Sequence, residues 1–217
     1  MSTREENKES NRKKILAAAR ELLHQGGLEA LAMRALAERA KVSSRTPYNL
    51  FGSKTDVLIG LLDEPLRRFS LTALPIAGNR LLPTLLAMVD VVYGQYAPEI
   101  DYYRTIFWGL MSSDHQAARA GALDRARRLA EMLIRGAIAT GEMRADTDPA
   151  TVADHLVAVI AGLLGLWAAG LLSGPQLAAE VRRSMLLGFL AYGNAALRPE
   201  LEADLARLDQ PLSLAIA

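Results

Sequence analysis

Residues 33–54 read MRALAERAKVSSRTPYNLFGSK, and the fold turns on them. Met33 to Ala40 reads as a short helix with Leu36, Ala37 and Ala40 on its inner face. Lys41-Val42-Ser43-Ser44 reads as a tight turn, followed by a second short helix from about Arg45 to Phe51. Ser43 or Ser44 is placed to cap that helix, and Pro47 fits its first turn, where a missing N–H does no harm. Gly52 closes it. Ser53-Lys54-Thr55-Asp56 then opens a further helix, with Ser53 as cap and Asp56 where a capping-box acid belongs. Two short helices joined by a turn, with a longer helix before them, form a helix-turn-helix.

In that geometry the second short helix enters the major groove of DNA. Arg45 suits guanine edges or phosphate, Asn49 suits adenine, and Ser44, Thr46 and Tyr48 suit phosphate oxygens. Lys54 stands in the first turn of the next helix, where backbone N–H groups and the helix dipole already favour an anion. Arg34 begins the first short helix and is placed to reach the groove or the backbone. Any one of these side chains alone reads equally well as a solvated polar group. Their collection in one frame points to DNA.

Upstream, Ser10 to Gln25 carries Ile15, Ala18, Ala19, Leu22 and Leu23 on one helical stripe. Gly26-Gly27 ends that helix, and residues 1–9 are polar and read as a flexible basic arm. Downstream, the helix opened at Ser53 bears Val57, Leu58, Leu61 and Leu62 and runs to about Thr72. Residues 1–60 carry eleven Lys and Arg against seven Asp and Glu, a net +4, while residues 61–217 carry fourteen against seventeen, a net −3. A basic end on an acidic body is suited to a polyanion.

The remainder breaks into five or six more helices. Their punctuation is Pro75 with Gly78, Pro83, Pro98, residues 112–114, residues 141–149 and Ser173-Gly174-Pro175. Pro149 and Pro175 sit at helix starts, and the last strong helix ends near Leu197-Arg198-Pro199. No stretch alternates with a period of two, so the fold class is all-α. Leu156 to Leu172 runs seventeen residues without a charge, at the lower edge of a membrane span. It lacks flanking Lys or Arg, so burial in a core or a dimer interface is the better reading. The first residues hold no apolar stretch and the chain has no cysteine, which together point to the cytoplasm. No phosphate loop, nucleophile elbow or zinc-protease signature appears, and His24, His115 and His155 lack metal-ligand spacing. The expectation is a chain that is not an enzyme and needs neither metal nor cofactor.

Residues 10–62 resemble the DNA-binding region of the tetracycline-repressor (TetR) family of bacterial regulators. The resemblance rests on RKKILAAARELL (12–23), GGLEAL (26–31) and the run from Met33 to Leu58, above all the spacing of Tyr48, Phe51 and Lys54. It implies that Arg34, Arg45, Thr46, Tyr48 and Lys54 contact DNA, and that Leu36, Ala37, Val42 and Phe51 form the small domain's core. Three positions depart from the pattern. Ala32 replaces a capping threonine, Lys41 replaces the turn glycine and so has to adopt a left-handed conformation, and Leu50 replaces an aromatic or histidine.

The resemblance further implies a helix-turn-helix domain at 10–52, a connecting helix at 53–74 and a helical ligand-binding and dimerisation domain at 75–217. Helices 149–172 and 175–197 are the expected dimer elements, two from each subunit forming a bundle. Gly162 and Gly165 allow close approach, and Met185, Phe189 and Tyr192 line one stripe. Candidate pocket residues are Met88, Tyr96, Tyr103, Arg104 and Phe107, with Trp108, Met111, Met132, His155 and Trp167. The implied activity is a homodimeric repressor, released from a palindromic operator by a small, largely apolar effector that tilts the helix beginning at Ser53. The alternatives are an activator or a ligand-independent repressor of the same fold, and remotely a helical enzyme or a membrane-anchored protein.

Overall fold

A computed structural model describes residues 3–68, 80–112 and 116–208. Among the described residues lie ten α-helices and no strand. They are α1 (Thr3–Ala30), α2 (Met33–Ala40), α3 (Thr46–Phe51), α4 (Lys54–Arg68), α5 (Leu81–Tyr96), α6 (Ile100–Ser112), α7 (Gln116–Ala139), α8 (Pro149–Ala168), α9 (Gly174–Tyr192) and α10 (Arg198–Arg207). The chain divides into two compact units, residues 1–68 with 101–119, and residues 69–100 with 120–217.

In the first unit, α1 turns Ile15, Ala18, Ala19 and Leu22 inward and packs against α2, α3 and α4. The helix does not begin at Ser10. It starts at Thr3, so residues 3–9 are a helical extension and not a flexible arm. Glu5 and Glu6 complement the positive end of the dipole, and Glu9 stands four residues before Lys13. Nor is the arm basic by itself, since Arg4 and Lys8 face Glu5, Glu6 and Glu9 in the count. Gly26 and Gly27 kink α1, Gly27 at φ 60, ψ −154, a region open only to glycine.

Helix α6 belongs to this first unit, although the sequence places it within the C-terminal domain. Tyr102, Tyr103, Ile106 and Leu110 form its buried stripe. The Tyr102 ring stacks on His24 of α1 with centroids 4.8 Å apart, and the Arg20 guanidinium lies 5.1 Å from that ring. Gly109 lets α6 approach α1 closely, because a Cβ there would meet Leu28 Cδ2 at 2.6 Å.

The second unit is built around Leu82, Leu85 and Val89 of α5, Ile134 and Ala137 of α7, Val152 and Leu156 of α8, and Met185, Leu186 and Phe189 of α9. Glu142, buried after α7, caps a helix sixty residues away. Its carboxylate accepts the backbone N–H groups of Leu81 and Leu82 and a hydroxyl hydrogen bond from Thr140. Those are donors that a helix start leaves without an internal partner. The expected helix end at Leu197–Pro199 is instead a helix start. Pro199 lies in the first turn of α10, whose Leu201 is buried.

Met185 and Phe189, expected at the dimer interface, are buried in the core of their own unit, and Tyr192 packs against it. The strongest apolar stripe of α9 is the one this core takes up. The apolar segment in α8, expected in a core or a dimer interface, is largely uncovered within its own chain. Its most apolar stretch has a mean hydropathy of 1.7, yet only 17% of it is covered. Val152, Ala153, Leu156, Leu163 and Trp167 are its buried residues. By length and composition alone α8 could cross a membrane.

Candidate nucleic-acid interface

The helix-turn-helix forms as its sequence predicts. Lys41 adopts φ 54, ψ 46, the left-handed conformation expected where the pattern has glycine. Its N–H donates to Glu38 O at 3.3 Å, and that of Val42 to Ala37 O at 3.0 Å, which closes the end of α2. Ala32 stands at the N-cap of α2 with extended backbone and no capping side chain.

Helix α3 starts at Thr46, with Arg45 at its N-cap. Neither serine caps its backbone. The Ser43 hydroxyl pairs with the Thr46 hydroxyl at 2.8 Å, and the Thr46 N–H donates to Ser43 O at 2.9 Å. Pro47 and Phe51 are buried and hold α3 against the rest of the unit. Phe51 meets the Arg12 guanidinium 4.4 Å from its ring centroid. The opposite side of α3 is free. Ser44, Arg45 and Asn49 are exposed, and Tyr48 is 56% exposed, a large ring left in solvent on a six-residue helix. Thr46 is half-buried. Arg34 is exposed one helix away and pairs with Glu38 at 3.0 Å.

Lys54 departs from its expected posture. It is half-buried, and its Nζ donates to the Leu28 carbonyl just past the kink of α1. Burial pushes its pKa below the ordinary lysine range, partly opposed by the Glu29 carboxylate. Ser53 does cap α4, accepting from the Asp56 N–H at 3.2 Å, while its own hydroxyl donates to the Asp56 carboxylate. Sequence reasoning also missed Arg39, which bridges α2 to Glu21 at 2.9 Å and Gln25 at 3.0 Å on α1. Its position gave no signal, because its partners lie on another helix.

Residues 15–61 match the family model for bacterial regulatory proteins of the tetR family. The chain carries a TetR-family N-terminal domain. Over 63 residues it is 41% identical to the transcriptional repressor KstR of Mycolicibacterium smegmatis, a match covering 29% of this chain and 31% of KstR. The chain therefore matches less than a third of that curated relative's length. The fold likeness extends further. A TetR-family regulator from Rhodococcus sp. superposes with a TM-score of 0.63 over 83% of this chain and 99% of the other, at 22% identity. Thermus thermophilus FadR, a TetR-family repressor solved with lauroyl-CoA, superposes at 0.59 over 82% and 92%, at 23% identity. At these identities the TetR-type architecture is what is shared.

The sequence-selected pocket residues are divided between the two units. Tyr103, Arg104, Phe107, Trp108 and Met111 lie on α6 in the first unit, and Met88, Met132, His155 and Trp167 lie in the second. Tyr103 and Trp167 are buried, whereas Trp108, Met111, Met132 and His155 are exposed. Arg104 lies 3.8 Å from Asp101. The side chain of Tyr96 and all of His115 fall outside the described residues, as do Pro75 and Gly78. A groove of about 420 Å³ runs between α7 and α8, lined by Ala120, Leu123, Arg127, Asp154, Val157 and Ala161 among others. It contains none of the selected residues.

Proposed function

We propose that this chain is a DNA-binding transcriptional regulator that acts as a homodimeric repressor and responds to a small effector. The observation that carries the reading is the exposed face of α3, where Arg45, Tyr48 and Asn49 project from a helix fixed by buried Pro47 and Phe51. Such a face suits the major groove, with Arg45 reading a guanine edge and Tyr48 and Ser44 taking phosphates. Lys54 joins the phosphate contacts once it leaves Leu28. A phosphate there offsets the burial that disfavours its charge.

A dimer is needed to place two recognition helices about one DNA turn apart. The uncovered apolar α8 supports it. Thr151, His155, Ala158 and Gly162 follow helical spacing along its exposed side, beside half-buried Gly165, and Leu187 of α9 is also exposed. The effector reading rests on relatives, among them FadR with its bound lauroyl-CoA. Helix α6 is the structural route for a response, because Leu28 touches it and passes the contact to Lys54 through its carbonyl.

Selection of bound duplexes from random DNA at physiological salt tests the reading. A palindromic motif with half-sites one turn apart supports it. Arg45→Ala should then relax preference at one base pair, at a cost of ~1–3 kcal/mol. Enrichment of no sequence, including after unfolding and refolding to strip a retained effector, would overturn it.

A further inference from the structure

The face of α1 that packs on the helix-turn-helix begins with a cation. Arg12, Ile15, Leu16, Ala19 and Leu23 share that face by helical spacing. Ile15, Leu16, Ala19 and Leu23 are buried, and Arg12 is half-buried. Its guanidinium lies 4.4 Å from the centroid of the Phe51 ring, on the last residue of α3. Gly60 of α4 closes the same site. A Cβ there would stand 3.0 Å from Phe51 Cε1, 3.1 Å from Leu16 Cδ2 and 3.4 Å from an Arg12 guanidinium nitrogen. The ring is thus seated in a socket built by α1 and α4.

Helix α3 has six residues, too few to hold a direction alone. Its buried residues are Pro47 and Phe51, so the socket fixes its C-terminal end. Arg45 stands six positions earlier, about 9 Å along the axis. A tilt of about 6° at the socket moves that end by about 1 Å, which takes a hydrogen bond of about 2.9 Å out of range.

We propose that Arg12 is a positioning residue for base reading: through the Phe51 ring it fixes the tilt of α3, and it touches no DNA itself. The inference rests on the DNA-binding reading above. Methionine would fill the same space with less polar surface to desolvate. The guanidinium adds direction, because a cation is attracted to the face of an aromatic ring and not to its edge.

The test compares wild-type protein with Arg12→Met by titration against a selected duplex and a scrambled one over a series of salt concentrations. Affinities are corrected for the folded fraction from urea denaturation. Methionine keeps the packing stem and removes the cation. The expected result is a fall of about tenfold in the ratio of the two affinities, the order of one weakened base contact, with the salt slope unchanged. Arg12→Lys should recover part of the ratio, since an ammonium also sits over a ring face. In a Phe51→Leu background, Arg12→Met should change the ratio no further. Should Arg12→Met fail to fold, Gly60→Ala presses on the same ring from α4 and is expected to lower the ratio in the same way.

An unchanged ratio in the folded variant overturns the proposal, because Arg12 then only holds the unit together. A salt slope lower by about 1 on both duplexes also overturns it, because Arg12 is then a phosphate contact. An undiminished loss in the Phe51→Leu background does so too, since the ring is then not the route. If the wild-type protein prefers neither duplex, the DNA-binding reading falls, and this role with it.

Discussion

Ala32 holds an N-cap conformation without a side chain able to accept from α2, so the first N–H groups of that helix go without a capping side chain. Ala32→Thr is expected to stabilise the protein by about 1 kcal/mol, measured by urea denaturation with an unchanged m-value. No gain would mean that water already satisfies those donors. Lys41 is a related case. It occupies the left-handed region at a cost of ~1–2 kcal/mol relative to glycine, which the two hydrogen bonds of the turn offset. Both oddities are legible in the sequence, because a cap and a turn are local chemistry. Lys54 is the contrary case at the same scale. Its residue type and position favour an anion, but its partner is a carbonyl 26 residues away.

Among the helices, boundaries depend on whether their signal is local. Helix α8 starts where Asp148 and Pro149 predict. The Asp148 carboxylate accepts from the N–H groups of Ala150 at 3.2 Å and Thr151 at 3.3 Å and from the Thr151 hydroxyl. The Thr151 hydroxyl bond first, then the two N–H bonds, hold its pKa below the usual carboxylate range. A depressed carboxylate pKa means stability that is complete above the ordinary value near ~4 and is lost as pH falls through the folded-state value. Asp148→Ala should therefore melt below wild type at neutral pH, with the gap narrowing under acid. A gap independent of pH would show that the charge contributes nothing. Helix α9 carries a full capping box, Ser173 with Gln176, in addition to Pro175. Helix α5 lacks any such local signal, because its cap is Glu142 from beyond α7. Helix α10 was missed because Pro199 reads equally as a stop or as a first-turn residue.

At the scale of the molecule, the uncovered face of α8 is the surface assigned to the proposed dimer. Gly162 is exposed on it, with nothing within 4 Å of where its Cβ would stand. Gly162→Arg should leave the isolated chain folded, since arginine favours helix over glycine. It should bury a charge in the proposed interface and shift the mass seen by light scattering toward the 23.5 kDa of one chain. A variant that stays dimeric would remove α8 from the interface. The sequence pointed to Gly162 and Gly165 on α8 and equally to Met185 and Phe189 on α9, the latter because they lie on its best apolar stripe. Periodicity marks a face as apolar but does not say which apolar surface covers it.

From its own residues, then, the chain determines an all-helical fold, the helix-turn-helix at 33–51, its left-handed turn at Lys41 and the exposed set on α3. Each of these depends on neighbours within a few positions. Tertiary structure decided that α6 joins the helix-turn-helix unit, that Lys54 holds the kink of α1, that Glu142 starts α5, and which stripe of α9 is core. Those outcomes are contacts between groups distant along the chain, and spacing along one helix carries no information about the residue it will meet on another.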